Sequence, residues 1–200
     1  MKNIAVFVSG NGTNLQAIIN NIRRGALKAR VSLVVSDNPK ALALERAQKA
    51  GVKTLYVDPK KFASRQEYEK ILVAALKAER VDLVVMAGFM RIVSPYFVGS
   101  FKNRIINIHP ALLPAYKGMD AIKEAYNDGA KVTGVTVHFV DEKVDHGPII
   151  MQEAVLIRDG ESLERLEARV HQVEHRIYSR AIAKVLSGRV VIRGRRALPA

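Results

Sequence analysis

Apolar positions along this chain alternate between two periods. Ile4 to Val8 is a short run rich in β-branched residues, stopped at Ser9-Gly10, which predicts a buried parallel strand. Leu15, Ile18, Ile19 and Ile22 then fall at i, i+3, i+4 and i+7, the stripe of a helix that Gly25 closes. Val31 to Val35 repeats the strand pattern, Pro39 suits the first turn of a helix that Gly51 ends, and Thr54 to Val57 predicts a third strand. Ser64 and Glu67 have the spacing of a capping box, ahead of a helix with the stripe Tyr68, Ile71, Leu72, Ala75 and Leu76. Further strands are predicted at Leu83 to Met86 and Ile105 to Ile108.

Beyond residue 110 the texture changes. Pro110 and Pro114 dictate an extended loop, a helix is expected from Asp120 to Asn127, and Thr133 to Val140 alternates as a strand with Ile149 to Ile157 as its partner. The longest helix, Ser162 to Leu186, carries Leu163, Leu166, Val170, Val173, Ile177 and Val185 on one stripe, with Gly188 behind it. Repeated β-α-β units predict an α/β fold: one domain with a mostly parallel, twisted sheet, helices on both faces and a Rossmann-like amino-terminal half. Residues 1–100 form that half, 101–188 a second half, and 189–200 a basic tail. Ligands are expected beyond the carboxyl ends of the strands.

Composition narrows the chemistry. Of the 200 residues, 48% are apolar and 26% charged, a globular balance. The longest apolar run, Leu83 to Met90, is far short of the roughly 20 residues that span a bilayer, and Ile4 to Val8 is shorter than the roughly 7 to 15 of a signal-peptide core. A cytoplasmic protein is expected. Absence of cysteine excludes disulfides, thiolate metal sites and a cysteine nucleophile. Lys and Arg outnumber Asp and Glu by 32 to 19, a net charge of +13. Only Arg189, Arg193, Arg195 and Arg196 are locally dense, and no nucleic-acid motif is present, so the positive field points to small anionic ligands and away from nucleic acid or membrane.

Three segments carry candidate chemistry. Between the first strand and helix lies SGNGTN, Ser9 to Asn14. Its glycines admit positive φ and close backbone approach, and the helix N-terminus behind them offers N–H groups and partial positive charge. The segment is a phosphate cradle or a bare tight turn. It is like the dinucleotide fingerprint, with Asp37 standing near the ribose-binding acid, but Leu15 occupies the place of the third glycine. In the second, NIHPALLP, Asn107 to Pro114, strand alternation points Asn107 and His109 the same way at the sheet edge. An amide and an imidazole there can hydrogen-bond a carbonyl oxygen that becomes tetrahedral, and His109 can move a proton. The third is HFVDEKVDHGPII, His138 to Ile150. Asp141 and Glu142 suit a solvated turn as well as a site, whereas Asp145, if near His109, favours its protonated form and fixes its orientation. The sequence leaves open whether the two meet. A fourth pattern, His171-Gln-Val-Glu174-His175, matches the H-x-x-E-H of a class of zinc peptidases, but no third ligand stands out nearby and no metal is expected.

Together SGNGTNLQAI, MAGFMRI at 86–92, NIHPALLP and the VDHGP turn at 144–148 closely resemble the glycinamide ribonucleotide formyltransferases, a branch of the 10-formyltetrahydrofolate enzymes, from residue 4 to about 188. The resemblance implies the formyltransferase fold and transfer of a formyl group from 10-formyltetrahydrofolate, a co-substrate, to the amine of 5-phosphoribosylglycinamide in purine synthesis. It implies that Gly12, Thr13 and Asn14 hold the phosphate and Glu174 the ribose, that Asn107, His109 and Asp145 are catalytic, and that the folate is held by Met90, Arg91, Ile92 and Val93, with Asn107, by the loop Asp141, Glu142, Lys143, Val144 and Asp145, and at its anionic tail by Arg65. His146 departs from members with a second glycine, and Thr136 keeps a hydroxyl where Ser also occurs. The chain is expected to be a monomer or homodimer. Competing classes are a nicotinamide-dependent oxidoreductase and a regulatory nucleotide-binding module.

Overall fold

A computed structural model describes residues 1–200. The chain divides into two compact units, residues 1–106 and 107–200.

In the first unit β1 (Lys2–Val8), β2 (Ala29–Ser36), β3 (Thr54–Tyr56) and β4 (Leu83–Met86) pair in the order β3-β2-β1-β4, all parallel. Ile4 to Val8 are fully buried, as expected of a strand covered on both faces. The helices between them are α1 (Thr13–Arg23), α2 (Leu42–Lys49) and α3 (Arg65–Ala78), followed by α4 (Pro95–Ser100). Since β1 to β3 step one way and β4 returns past them, right-handed crossovers put α1 and α2 on one face and α3 on the other. The loops after β1, β2 and β4 therefore share the carboxyl edge of the sheet, at the point where strand order reverses.

Four local features differ from the sequence reading. Pro39 lies in a turn, and α2 opens three residues later behind Ala41. The buried face of α3 is Tyr68, Glu69, Leu72, Val73 and Leu76, while Ile71 is exposed, because α4 packs on the Glu69–Val73 side. Helix α4 itself was not expected, although Ser94-Pro95 is a cap followed by a first-turn proline. The capping box is half displaced: Ser64 Oγ accepts from the Glu67 N–H (3.2 Å), while Glu67 Oε2 accepts from Ala63, one residue before the cap.

In the second unit β5 (Ile105–His109), which begins just before it, is followed by α5 (Ala121–Asn127), β6 (Val132–Phe139), β7 (Ile149–Leu156), α6 (Leu163–Leu186), β8 (Val190–Arg193) and β9 (Arg196–Pro199). β6 and β7 are antiparallel partners, as their alternation predicts, with a register shift between Val137 and His138. Helix α6 lies on both and on α5. The expected basic tail is instead a hairpin: β8 and β9 pair antiparallel about Gly194-Arg195, and β9 joins β7 at Ile149 and Arg196. Its cations masked a weak alternation at Val190 and Ile192.

Candidate active site

At the carboxyl edge of the first unit, Gly12 is the N-cap of α1 with φ +69°. A Cβ on it would stand 2.5 Å from the Ala43 Cβ, so no other residue fits without displacing α2. No side-chain hydrogen bond caps this helix. The loop ahead of it is tied down by carbonyls rather than amides: Gly10 C=O accepts from Ala43 N–H (3.2 Å), and Asn11 C=O from Arg46 Nε (2.8 Å). Thr13 is exposed and Asn14 buried. Ser9 is the knot of this edge. Its hydroxyl donates to Asp37 Oδ1 (2.7 Å) and accepts from Met90 N–H (2.9 Å), and its carbonyl accepts from Asn38 Nδ2 (3.0 Å). Asp37, the ribose acid of the dinucleotide pattern, is thus committed to Ser9, with Arg91 3.9 Å away.

The segment after β4 presents Met90, Arg91 and Ile92 to solvent and turns Val93 into the core. Arg91 stands over the Tyr68 ring, 5.9 Å from its centroid. The buried Glu69 carboxylate anchors this segment by accepting from both the N–H (2.7 Å) and the hydroxyl of Ser94. Arg65 is exposed at the first position of α3.

In the second unit β5 delivers Asn107 and His109 on one face, as its alternation requires. Asp145 comes from the β6–β7 loop with φ +46° and an almost wholly buried carboxylate, its Oδ2 3.4 Å from His109 Nδ1. That oxygen also accepts from Gly118 N–H (3.0 Å). His109 Nε2 lies 2.6 Å from the Tyr116 carbonyl. Both ring nitrogens face oxygen acceptors, an arrangement that the doubly protonated imidazolium satisfies in full. Burial pushes the Asp145 carboxyl up, but His138, the Gly118 N–H and the charge of His109 outweigh it and hold the group below its ordinary value.

His138 is the member that sequence reasoning missed. It is buried at the end of β6, its Nδ1–H donates to its neighbour's carbonyl at Phe139 (2.7 Å), and its Nε2 lies between the Asn107 amide (3.3 Å) and Asp145 Oδ1 (3.6 Å). The signal was present as Thr136 and His138, two polar residues at period two in a mostly apolar strand. Thr136 on the same stripe organises the following loop. Its hydroxyl donates to Ala111 C=O (2.6 Å) and accepts from Leu113 N–H (3.1 Å) and Gln152 Nε2 (2.9 Å), and Gln152 also reaches Leu113 C=O (2.9 Å). Asp141 takes a hydrogen bond from His146 Nδ1 (2.7 Å). Glu142, Lys143 and Val144 are exposed at the loop tip.

On α6 the buried Glu174 accepts from His171 Nδ1 (2.8 Å), and this bond raises the His171 pKa above its ordinary value against the effect of burial. His175 Nε2 is buried without a hydrogen-bond partner, and burial lowers its pKa. No group of three His, Cys, Asp or Glu side chains is arranged to hold a metal ion. No helix is long and apolar enough to cross a membrane.

A strand edge with an Asn, a carboxylate-paired His and a buried second His beside it, on this α/β fold, belongs to a known class. The chain is a member of the formyl transferase family, whose model matches residues 2–182. Among its relatives, the phosphoribosylglycinamide formyltransferase of Bacillus subtilis (strain 168) is 39% identical over 186 residues, covering 93% of this chain and 95% of that one. The trifunctional purine biosynthetic protein adenosine-3 of Drosophila melanogaster is 46% identical over 193 residues, 96% of this chain, which spans 14% of that protein's length. The crystal structure of glycinamide ribonucleotide transformylase 1 from Symbiobacterium toebii superposes with a TM-score of 0.97 at 48% identity, covering 100% of this chain and 94% of the other.

Proposed function

We propose that this protein is a cytoplasmic phosphoribosylglycinamide formyltransferase, moving the formyl group of 10-formyltetrahydrofolate to the amine of 5-phosphoribosylglycinamide in purine synthesis. The observation that carries the reading is the chain of contacts from Asn107 through His138 and Asp145 to His109, at 3.3, 3.6 and 3.4 Å.

The amine nitrogen attacks the formyl carbon and the carbonyl oxygen becomes an oxyanion. Asn107 Nδ2–H and His109 Nε2–H are its donors, once the Tyr116 carbonyl gives up the latter. Such donors act mainly on charge that develops in the transition state, which is where they lower the barrier. Asp145 orients the His109 ring from its Nδ1 side, and His138 holds the Asn107 amide in place. The intermediate collapses as the carbon–N10 bond breaks, the attacking amine losing a proton and the folate nitrogen gaining one. The Gly12–Asn14 loop would hold the acceptor phosphate at the N-terminus of α1, Glu174 its ribose, and loop 141–145 the donor heterocycle.

The test is to measure tetrahydrofolate formation with phosphoribosylglycinamide, with its dephosphorylated form and with water alone. The first is expected to turn over and the second to be very poor, because phosphate binding also orients the amine. Full-rate formate release without amine would make the protein a hydrolase and overturn the assignment.

A further inference from the structure

The loop between β6 and β7 is closed at two levels. At its base Phe139 N–H donates to Pro148 C=O (2.9 Å), and Gly147 is pressed so closely on the Phe139 carbonyl that a Cβ would stand 1.8 Å from its oxygen. Above the base, His146 Nδ1 donates to Asp141 Oδ2 (2.7 Å), and Asp141 Oδ1 accepts from Lys143 N–H (3.0 Å). The pair is partly buried, with side chains 23% and 36% exposed. Arg195, in the turn of the β8–β9 hairpin, brings its guanidinium to 3.5 Å from the His146 carbonyl.

Neither His146 nor the Asp141 carboxylate takes part in the formyl-transfer chemistry above. What they enclose does. Asp145 precedes His146 directly and holds φ +46°, a conformation a non-glycine residue keeps only when its surroundings over-determine it. Free to relax, the loop would return Asp145 to an ordinary φ and carry its carboxylate away from His109 and His138.

We propose that His146 is a positioning residue: its pairing with Asp141 latches loop 141–146 in the conformation that aims Asp145 at His109 and presents the loop to the formyl donor. An ordinary exposed ion pair does little. This one closes a ring of six residues around a strained one, so it removes loop conformations before the donor arrives and spares binding that ordering cost. The inference rests on the formyltransferase reading, and the experiment separates the two.

Amide hydrogen exchange in 141–147 is measured first, since it needs no substrate. His146→Ala is expected to speed exchange there about tenfold and leave β5 and β6 unchanged, while His146→Asn, whose amide donates from near the Nδ1 position, restores protection. In steady-state kinetics His146→Ala should raise KM for 10-formyltetrahydrofolate about tenfold and lower kcat about threefold, with acceptor KM within twofold of wild type. Asp141→Ala should carry the loss by itself, so that adding His146→Ala costs nothing further. Unchanged exchange in His146→Ala, additive losses in the double variant, equal damage to both substrates, or no rescue by Asn would overturn the latch. Altered loop exchange in a wild-type protein that transfers no formyl group would leave the latch standing and sink the activity.

Discussion

At 3.4 Å from His109 Nδ1, the Asp145 carboxylate is placed to orient the ring. Asp145→Asn keeps the shape and removes the charge. Turnover in a steady-state assay is expected to fall by about 10²- to 10⁴-fold. The same residue makes an acid-side prediction. Because its native carboxyl lies below the ordinary value of about 3.9, the stability it contributes is complete above about pH 4 and is lost as pH falls through the lower native value. Urea unfolding between pH 2 and 6, scales set by carboxylate titration, should therefore show a shallower decline in Asp145→Asn than in wild type. Gly12 is the other residue whose identity is dictated locally. Gly12→Val forces a β-branched side chain to φ +69° and into Ala43, so it should weaken acceptor binding and also lower stability by about 1–3 kcal/mol. Thermal melting checks this: Ala43→Gly should recover part of the stability, by relieving the overlap, without restoring φ.

Among the elements, β6 does more than supply a strand. Its polar stripe holds the loop that follows β5, and Thr136, fully buried, satisfies groups on both Ala111 and Leu113. Thr136→Val leaves those backbone groups unpaired in the interior, at an expected cost of about 1–3 kcal/mol in urea unfolding. The Tyr116 carbonyl at the end of that loop should shift with them, so kcat should fall more than either KM. Thr136→Ser keeps the hydroxyl and should behave nearly as wild type. The carboxyl-terminal hairpin extends β7 through β9 and sets Arg195 beside His146, so a segment that looks like a free cationic tail is part of the sheet edge next to the Asp145 loop.

For the whole molecule, a net charge of +13 predicts attraction for the anionic acceptor that salt will screen. Raising ionic strength from about 0.01 to 0.5 M shortens the Debye length from about 30 Å to under 8 Å. KM for phosphoribosylglycinamide should rise severalfold over that range with kcat nearly constant, and the dephosphorylated acceptor should show a much smaller change. A salt response in kcat with unchanged KM would place the charge effect in chemistry instead of capture.

Periodicity along the chain was enough to order β1 to β7 with the helices other than α4, to pair β6 with β7, to put Gly12 at the mouth of α1 and to set Asn107 and His109 on one face of β5. Each of these depends on a residue's relation to its own element, and that relation repeats every 2 or 3.6 residues. What covers a face is a different matter. Ile71 has the spacing of a core residue yet is exposed, because α4, arriving from beyond residue 94, covers the neighbouring stripe of α3. Asp145 and His109 lie 36 positions apart by number, and His138 enters between Asn107 and Asp145 only because β6 and β7 fold back as a pair with a register shift at Val137 and His138. Tertiary structure alone decided those meetings: a hydrogen bond needs its atoms within about 3 Å, and no spacing rule within one element constrains the distance to an atom carried by another.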